Sequence, residues 1–299
     1  MREVLMKGID VSTHQGKIDW AKVKKSGHAD FAIIRIGFRG YGQTGTIKLD
    51  KQFVNNAKGA TEQLIPLGAY FFSTAINEVE STEEARFCIE QLEPYRDNIK
   101  LPVVYDFEGY GKTHYRTYGI TKEQRTKNYK AFTETLNAAG YEGLIYGSKA
   151  YIRSKFDVDN LDELMWLAAY PKNPDITNPP SLGKYDSRVA MWQYSSSGSV
   201  PGINGRVDMN AMYINLIKSD KPSNPHNTPT RTLYMGNPSM TEEDVRWLQW
   251  ELADAGYEIG IDGNFDKTTN ALLRDYQYNH GLEVDGKCGP ATRRNMINS

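Results

Sequence analysis

Residues 101–111, "LPVVYDFEGYG", decide the fold. Pro102, Val103, Val104 and Tyr105 make an apolar run suited to a strand buried on both faces. Asp106 and Glu108 then arrive at its far end. Alternate residues of a strand share a face and stand ~6.6 Å apart at ~3.3 Å per residue, so a strand over 101–108 sends both carboxylates the same way. An apolar strand ending in two acids fits the wall of a parallel barrel, where chemistry gathers at the C-terminal ends of the strands. Two carboxylates there raise each other's proton affinity, which suits a general acid beside a charged stabiliser. For a lone D-x-E the commoner case is a pair that caps loops or meets Lys and Arg.

Outward from this strand, similar runs occur at 7–12 "KGIDVS", 31–38 "FAIIRIGF", 66–74 "PLGAYFFST", 143–148 "GLIYGS", 164–170 "LMWLAAY", 189–196 "VAMWQYSS" and 206–210 "RVDMN". Helix signals lie between several of them. Ser81 with Glu84 reads as a capping box before "EEARFCIEQL", and Thr121 with Gln124 as another before a helix that stops at Gly140. Eight such strands separated by crossovers predict an α/β fold, an irregular (β/α)8 TIM-like barrel with parallel strands. The crossovers at 149–163 and 171–188 are short, so the outer ring of helices is expected to be incomplete.

The acids are not confined to one strand. Asp10 closes "GIDVS" and Asp208 closes "RVDMN", and the first and last strands of a closed barrel are neighbours. Asp10, Asp106, Glu108 and Asp208 are therefore expected at one mouth. Tyr70, Phe72, Tyr105, Tyr146, Trp166, Tyr170, Trp192 and Tyr194 lie on the same strands and offer faces on which sugars stack, although core packing is the commoner role for any single aromatic.

From residue 218 the text changes to "KSDKPSNPHNTPTRT", without apolar periodicity, which reads as a linker over 218–234. Residues 235–299 then read as a small all-helical domain. Thr241 with Asp244 opens a helix stopped by Gly256, and a second helix stops at Gly281. The turns "DGNFDKTT" (262–269) and "DGKCGPAT" (285–292) form a weak internal repeat, each with Asp-Gly for a tight turn and a Thr suited to capping the next helix.

"GIDVSTHQGKIDWAKV", "FAIIRIGFRG", "LGAYFFS", "VVYDFEG" and "WQYSSSGSVPGINGRVDMN" occur in that order and together resemble the family 25 glycoside hydrolases, bacterial and phage-type muramidases. The resemblance covers residues 6–217, and the tail resembles a peptidoglycan-binding domain. It implies an irregular barrel and an N-acetylmuramidase acting on the β-1,4 bond from N-acetylmuramic acid to N-acetylglucosamine. Carried over residue by residue, Glu108 is the general acid, Asp106 stabilises charge or orients the 2-acetamido group, and Asp10 and Asp208 support them. One departure is Phe71, where many relatives have histidine, which puts one substrate contact in question. The implied partner is bacterial peptidoglycan, held by the barrel mouth and by residues 235–299, with no cofactor, metal, nucleic acid or membrane. A non-catalytic wall-binding protein and a metal-dependent polysaccharide deacetylase are the competing readings. An endolysin released through a holin, or an autolysin exported non-classically, is the expected setting.

Composition agrees with a soluble globular protein: 39% apolar and 24% charged residues, with a net charge of −1. The first 234 residues carry 30 basic and 26 acidic side chains, a mild excess suited to an anionic polymer. Cys88 and Cys288 lie far apart and argue against a disulfide framework or a thiolate site. "MREVLMKGIDVS" has no apolar signal core, and no run approaches ~18 apolar residues. "GYGQTG" (40–45) matches G-x-G-x-x-G, but no helix opens directly after it and the next strand does not end in an acid, so a dinucleotide site is not expected. His14, His28, His114, His226 and His280 show no zinc spacing. His14 alone adjoins a strand end, as a loop or substrate-contact residue.

Overall fold

The computed structural model describes residues 2–108, 113–161, 164–218 and 224–298. The chain forms two compact units, Met1–Ile217 and Lys218–Ser299. In the first, β1 (Met6–Val11), β2 (Phe31–Arg39), β3 (Ile47–Leu49), β4 (Leu67–Phe72), β5 (Ile99–Asp106), β6 (Gly143–Ser148), β7 (Met165–Ala168), β8 (Val189–Gly198) and β9 (Val207–Met212) belong to one sheet. The order β1-β9-β8-β7-β6-β5-β4-β2 is closed by β1 pairing with β2, an eight-stranded barrel. The short β3 pairs with the end of β2 as an antiparallel hairpin, an element the sequence pattern does not reveal.

Not every strand is parallel, contrary to the sequence expectation. β9 runs antiparallel to both β8 and β1. A parallel return needs a crossover of a dozen or more residues, and only residues 199–206 separate β8 from β9. The consequence is functional: Asp208 stands near the start of β9, yet reaches the mouth where the parallel strands end, directly opposite Asp10.

The helices α1 (Trp20–Ser26), α2 (Phe53–Glu62), α3 (Glu78–Leu92), α4 (Lys122–Ala138) and α5 (Lys149–Lys155) belong to this unit, and between β7 and β8 there is only a 3-10 turn, Gly183–Arg188. The ring is incomplete, as the short crossovers imply. Strand alternation produces two apolar layers. Phe31, Ile33, Leu101, Val104, Leu144 and Met191 fill the barrel interior. Ile9, Ile34, Ala69, Phe71, Val103, Tyr105 and Phe107 face outward and pack with helix residues such as Ala85, Cys88, Phe132 and Leu136.

Helix α3 begins earlier than its capping signal suggests. Asn77 is the N-cap, accepting from the Glu80 N–H at 2.9 Å, and Ser81 and Glu84 lie inside the helix, buried. Glu84 instead accepts from Arg39 Nε at 2.7 Å and from Ser73 Oγ at 2.6 Å. Arg39 also donates to the Gly45 carbonyl at 2.9 Å, and Gly45 has φ of 52°. The guanidinium of Arg116 sits where a Cβ on Gly45 would go, 1.6 Å from that position. The glycines of "GYGQTG" thus serve the β2–β3 hairpin. Thr121 does cap α4, accepting from the Gln124 N–H at 3.2 Å, while the Gln124 side chain reaches Glu78 rather than closing a box.

The second unit holds α6 (Glu242–Asp254), α7 (Lys267–Asn279) and α8 (Pro290–Asn298) around Trp247, Leu248, Leu252, Leu273 and Tyr276. Thr241 and Asp244 close a capping box on α6. The internal repeat is explicit here. Gln249 Nε2 donates to Asp262 Oδ1 at 2.7 Å and its Oε1 accepts from the Gly263 N–H at 2.8 Å. Gln277 treats Asp285 and Gly286 identically, at 2.9 Å for each bond. The cap on α7 is Asp266 and not a threonine; Thr269 and Thr292 lie in the first turns of α7 and α8, where each hydroxyl donates back to the preceding turn. Residues 224–234, linker-like in composition, are bonded to this unit: Asn224 donates to the Trp247 carbonyl at 3.0 Å, and Leu233 bridges to Cys288. Residues 219–223 lie outside the described residues.

Candidate active site

The site is built by one parity rule. In β1, β4, β5, β6, β8 and β9 the residues that turn inward near the mouth include Asp10, Tyr70, Asp106, Tyr146, Gln193 and Asp208. With Glu108, Trp166, Tyr170 and Ser196 they line a pocket of about 180 Å³. It opens into a lobe of about 450 Å³ that shares Asp10, Tyr70, Ser196 and Asp208 and adds His14, Gln15, Asn204 and Arg206. All four acids expected from the sequence meet there.

Their environments differ. Asp10 is 5% exposed and Asp106 6%, whereas Glu108 stands exposed at the rim. Asp10 Oδ2 accepts from Gln193 Nε2 at 2.7 Å and from Asn210 Nδ2 at 2.9 Å. Gln193 in turn accepts from Tyr146 at 2.7 Å and from Tyr170, and Asn210 accepts from Trp166 Nε1 at 2.9 Å. Three aromatic donors and two amides therefore fix one carboxylate. Burial, with the charge of Asp208 opposite, raises Asp10 to about 7 despite those donors. Burial raises Asp208 as well, while its hydrogen bond with Asp10 acts the other way, so the proton of that pair favours Asp10.

Asp106 is pushed well above the ordinary carboxylate range by burial, then by Glu108 and Asp10, with Arg35 opposing. Arg35 is engaged by Asp50, Nη2 to Oδ2 at 2.6 Å. Asp106 Oδ1 is buried and finds no hydrogen-bond partner among the described residues. Glu108 is raised by desolvation at the rim and by Asp208. Like charges this crowded cannot all ionise together. The mouth therefore retains protons into the range where ordinary carboxyls have lost theirs.

Of the aromatics expected on sugar-facing positions, Tyr70, Tyr146, Trp166 and Tyr170 line the pocket. Burial pushes the Tyr170 hydroxyl up to about 12, so it stays a donor. Tyr105, Trp192 and Tyr194 do not line it. Tyr105 is fully buried against Phe107 and Tyr129 in the outer layer. Trp192 donates to the Ala169 carbonyl at 2.8 Å and packs with Tyr194, Ala211 and Tyr213 outside the barrel. Each is one residue out of phase with the inward Asp106 and Gln193. Phe72 is half-buried against Tyr41, with ring centroids 5.6 Å apart, and is not part of the pocket lining. Phe71, the departure from the family pattern, faces the helix layer beside Phe87, away from the mouth. The sequence reading missed Gln193 and Asn210. The available signal was a polar residue at inward parity in each strand: Gln193 in "MWQYS", and Asn210 two positions after Asp208.

Residues 9–203 match the model for glycosyl hydrolases of family 25, and residues 241–296 that for a putative peptidoglycan-binding domain. The autolytic lysozyme of Clostridium acetobutylicum is 25% identical over 96% of this chain and 77% of its own length. Lysozyme M1 of Streptomyces globisporus is 30% identical over 69% of this chain and 67% of its own. Among solved structures, the modular autolysin LytC of Streptococcus pneumoniae, in complex with a synthetic peptidoglycan ligand, is similar with a TM-score of 0.58 and 29% identity. That match covers 70% of this chain and 46% of LytC, so this chain spans less than half of that protein. With its four-acid mouth, the chain belongs to glycosyl hydrolase family 25, and it is a muramidase-type peptidoglycan hydrolase joined to a domain of the peptidoglycan-binding class.

Proposed function

We propose that the protein hydrolyses the β-1,4 bond between N-acetylmuramic acid and N-acetylglucosamine, with Glu108 as general acid. The observation that carries this reading is the convergence of four proton-retaining carboxyls in a pocket walled by Tyr70, Tyr146, Trp166 and Tyr170. Glu108 is the acid at the open rim, within reach of a glycosidic oxygen, and its raised proton affinity keeps it charged with a proton in mildly acidic solution. Asp106 sits deeper, and its unpartnered Oδ1 is an acceptor suited to a sugar amide N–H or to developing positive charge. Asp208 supplies the negative charge that helps hold the Glu108 proton, and Asp10, fixed by Gln193 and Asn210, holds the proton it shares with Asp208. Residues 235–299 would bind the same wall, raising the barrel's effective concentration on an insoluble polymer. Release as an endolysin or an autolysin fits a wall-acting enzyme. No helix among the described residues is long and apolar enough to cross a membrane.

The test is digestion of purified cell walls by wild type and Glu108→Gln, with the new reducing ends identified. N-acetylmuramic acid ends, lost in a folded Glu108→Gln, support the reading. N-acetylglucosamine ends mean a glucosaminidase, and no new ends with wall binding intact means a wall-binding protein on a retained fold. Full activity in strong chelator excludes the deacetylase alternative.

A further inference from the structure

The second lobe of the mouth has a charge that the acid cluster does not explain. Among the described residues lining either lobe, Arg206 is the one Lys or Arg, and His14 stands in the same lobe. The main-chain carbonyl of Arg206 is held by Gln15 Nε2 at 3.2 Å, which fixes the backbone from which its side chain projects. The guanidinium itself has no hydrogen bond or ion pair with the protein among the described residues, and Arg206 is exposed. Both Arg206 and His14 lie close enough to Asp208 to act on its charge.

We propose that this lobe is an anion subsite, in which Arg206, with His14 beside it, takes a carboxylate carried by the branch on the muramoyl sugar. The inference rests on the muramidase reading above. Four acids at one mouth repel an anionic branch of the substrate, and a guanidinium fork offset from the reacting centre is the side chain that pairs a carboxylate in bidentate fashion. The two lobes share Asp10, Tyr70, Ser196 and Asp208, so a substituent leaving a sugar seated over Glu108 has direct entry to the second. Asn204 lines this lobe and also a groove of about 890 Å³, in which Lys22 and Lys58 are paired with Asp19 and Glu62 and Lys17 adds a basic side chain, so a longer branch has somewhere to lie. The carboxylate has two chemical sources: the lactyl group where it is free, or the peptide attached to it.

The experiment is a cycle on the full chain. Solubilised peptidoglycan is used as isolated and after its carboxylates are capped with methylamine through a carbodiimide, and kcat/KM is read from new reducing ends. Capping is expected to lower wild-type kcat/KM about tenfold, Arg206→Gln to lower it about tenfold on uncapped substrate, and capping to have no further effect on Arg206→Gln. Arg206→Lys should recover part of the loss. Losses that multiply, or an Arg206→Gln loss equal on both substrates, overturn the proposal and leave Arg206 as a charge that merely tunes Asp208. Amidase-stripped glycan, whose carboxylate is the lactyl one, distinguishes the sources: dependence on Arg206 there shows that the subsite also takes the lactyl group once it is free, and its disappearance confines the subsite to the peptide carboxylates, the ones present in intact peptidoglycan. If wild type releases no reducing ends, the muramidase reading has failed. The anion subsite is then read by calorimetric binding of a muramoyl peptide and its methylamide to Glu108→Gln with and without Arg206→Gln, where the same non-additivity is required.

Discussion

At the barrel mouth Asp10 faces Asp208 across two paired strands, and burial raises both. In the helical unit Asp262 accepts from the Asn264 N–H and Gln249, and Asp266 from the Thr269 N–H, and both are held below the usual carboxylate range by those bonds. Asp285 is also held low, against slight burial, by Gln277 and the Lys287 N–H. One residue type therefore serves two purposes. Where a carboxylate has its donors supplied it locks a turn. Where like charges are set opposite one another in a buried mouth the protein accepts a stability cost, which is the arrangement expected of a site that must hold a mobile proton.

The sharpest way to break this contrast is Glu108→Gln. It should lower kcat by about 10²–10⁴-fold while the melting temperature holds, since the side chain stands at the rim; a folded variant with undiminished reducing-end release would move the acid role elsewhere. Asp10→Asn should separate activity from stability. A carboxyl raised in the folded state binds protons that the unfolded chain has released, so wild type loses stability as pH rises from about 4 to about 7. The neutral amide lacks that loss, and at pH 8 Asp10→Asn should be more stable by roughly 1–3 kcal/mol in urea unfolding, yet at least tenfold less active. No gain at pH 8 would show that Asp10 is not carrying a strained charge.

On the other side of the contrast, Gln249→Ala strips the buried Gly263 N–H of its acceptor. It should destabilise the helical unit by about 2–3 kcal/mol, read as a downward shift of one calorimetric transition of the full chain, with wall pull-down weakened and hydrolysis of soluble fragments retained. A finer measurement is the pH profile. Activity should fall as pH rises through the elevated proton affinity of Glu108, and Asp208→Asn, by removing one of its causes, should move that falling limb to lower pH. The smallest effect is expected for Trp192→Phe, which packs outside the barrel: about 1 kcal/mol of stability and less than about twofold in kcat/KM.

The chain's own text was sufficient for the barrel strands, the four acids and the helical module, because each is a local pattern: an apolar run, a strand-end carboxylate, a repeated Asp-Gly turn before a helix, although the threonines expected to cap those helices lie inside their first turns. Other features required the assembled barrel. That β9 runs backward follows from how little chain joins it to β8, and only this direction sets Asp208 against Asp10. Aromatic identity did not distinguish Tyr70 from Tyr105 or Tyr146 from Tyr194, since the face a residue presents depends on the phase of its strand in the closed sheet. Ser81 and Glu84 matched a helix start, yet Asn77 outcompeted them and the buried Arg39 claimed Glu84. Gln193 and Asn210 carried no motif. Their role exists only because three strands bring them to Asp10, and a partner across a barrel is a tertiary fact that no local periodicity encodes.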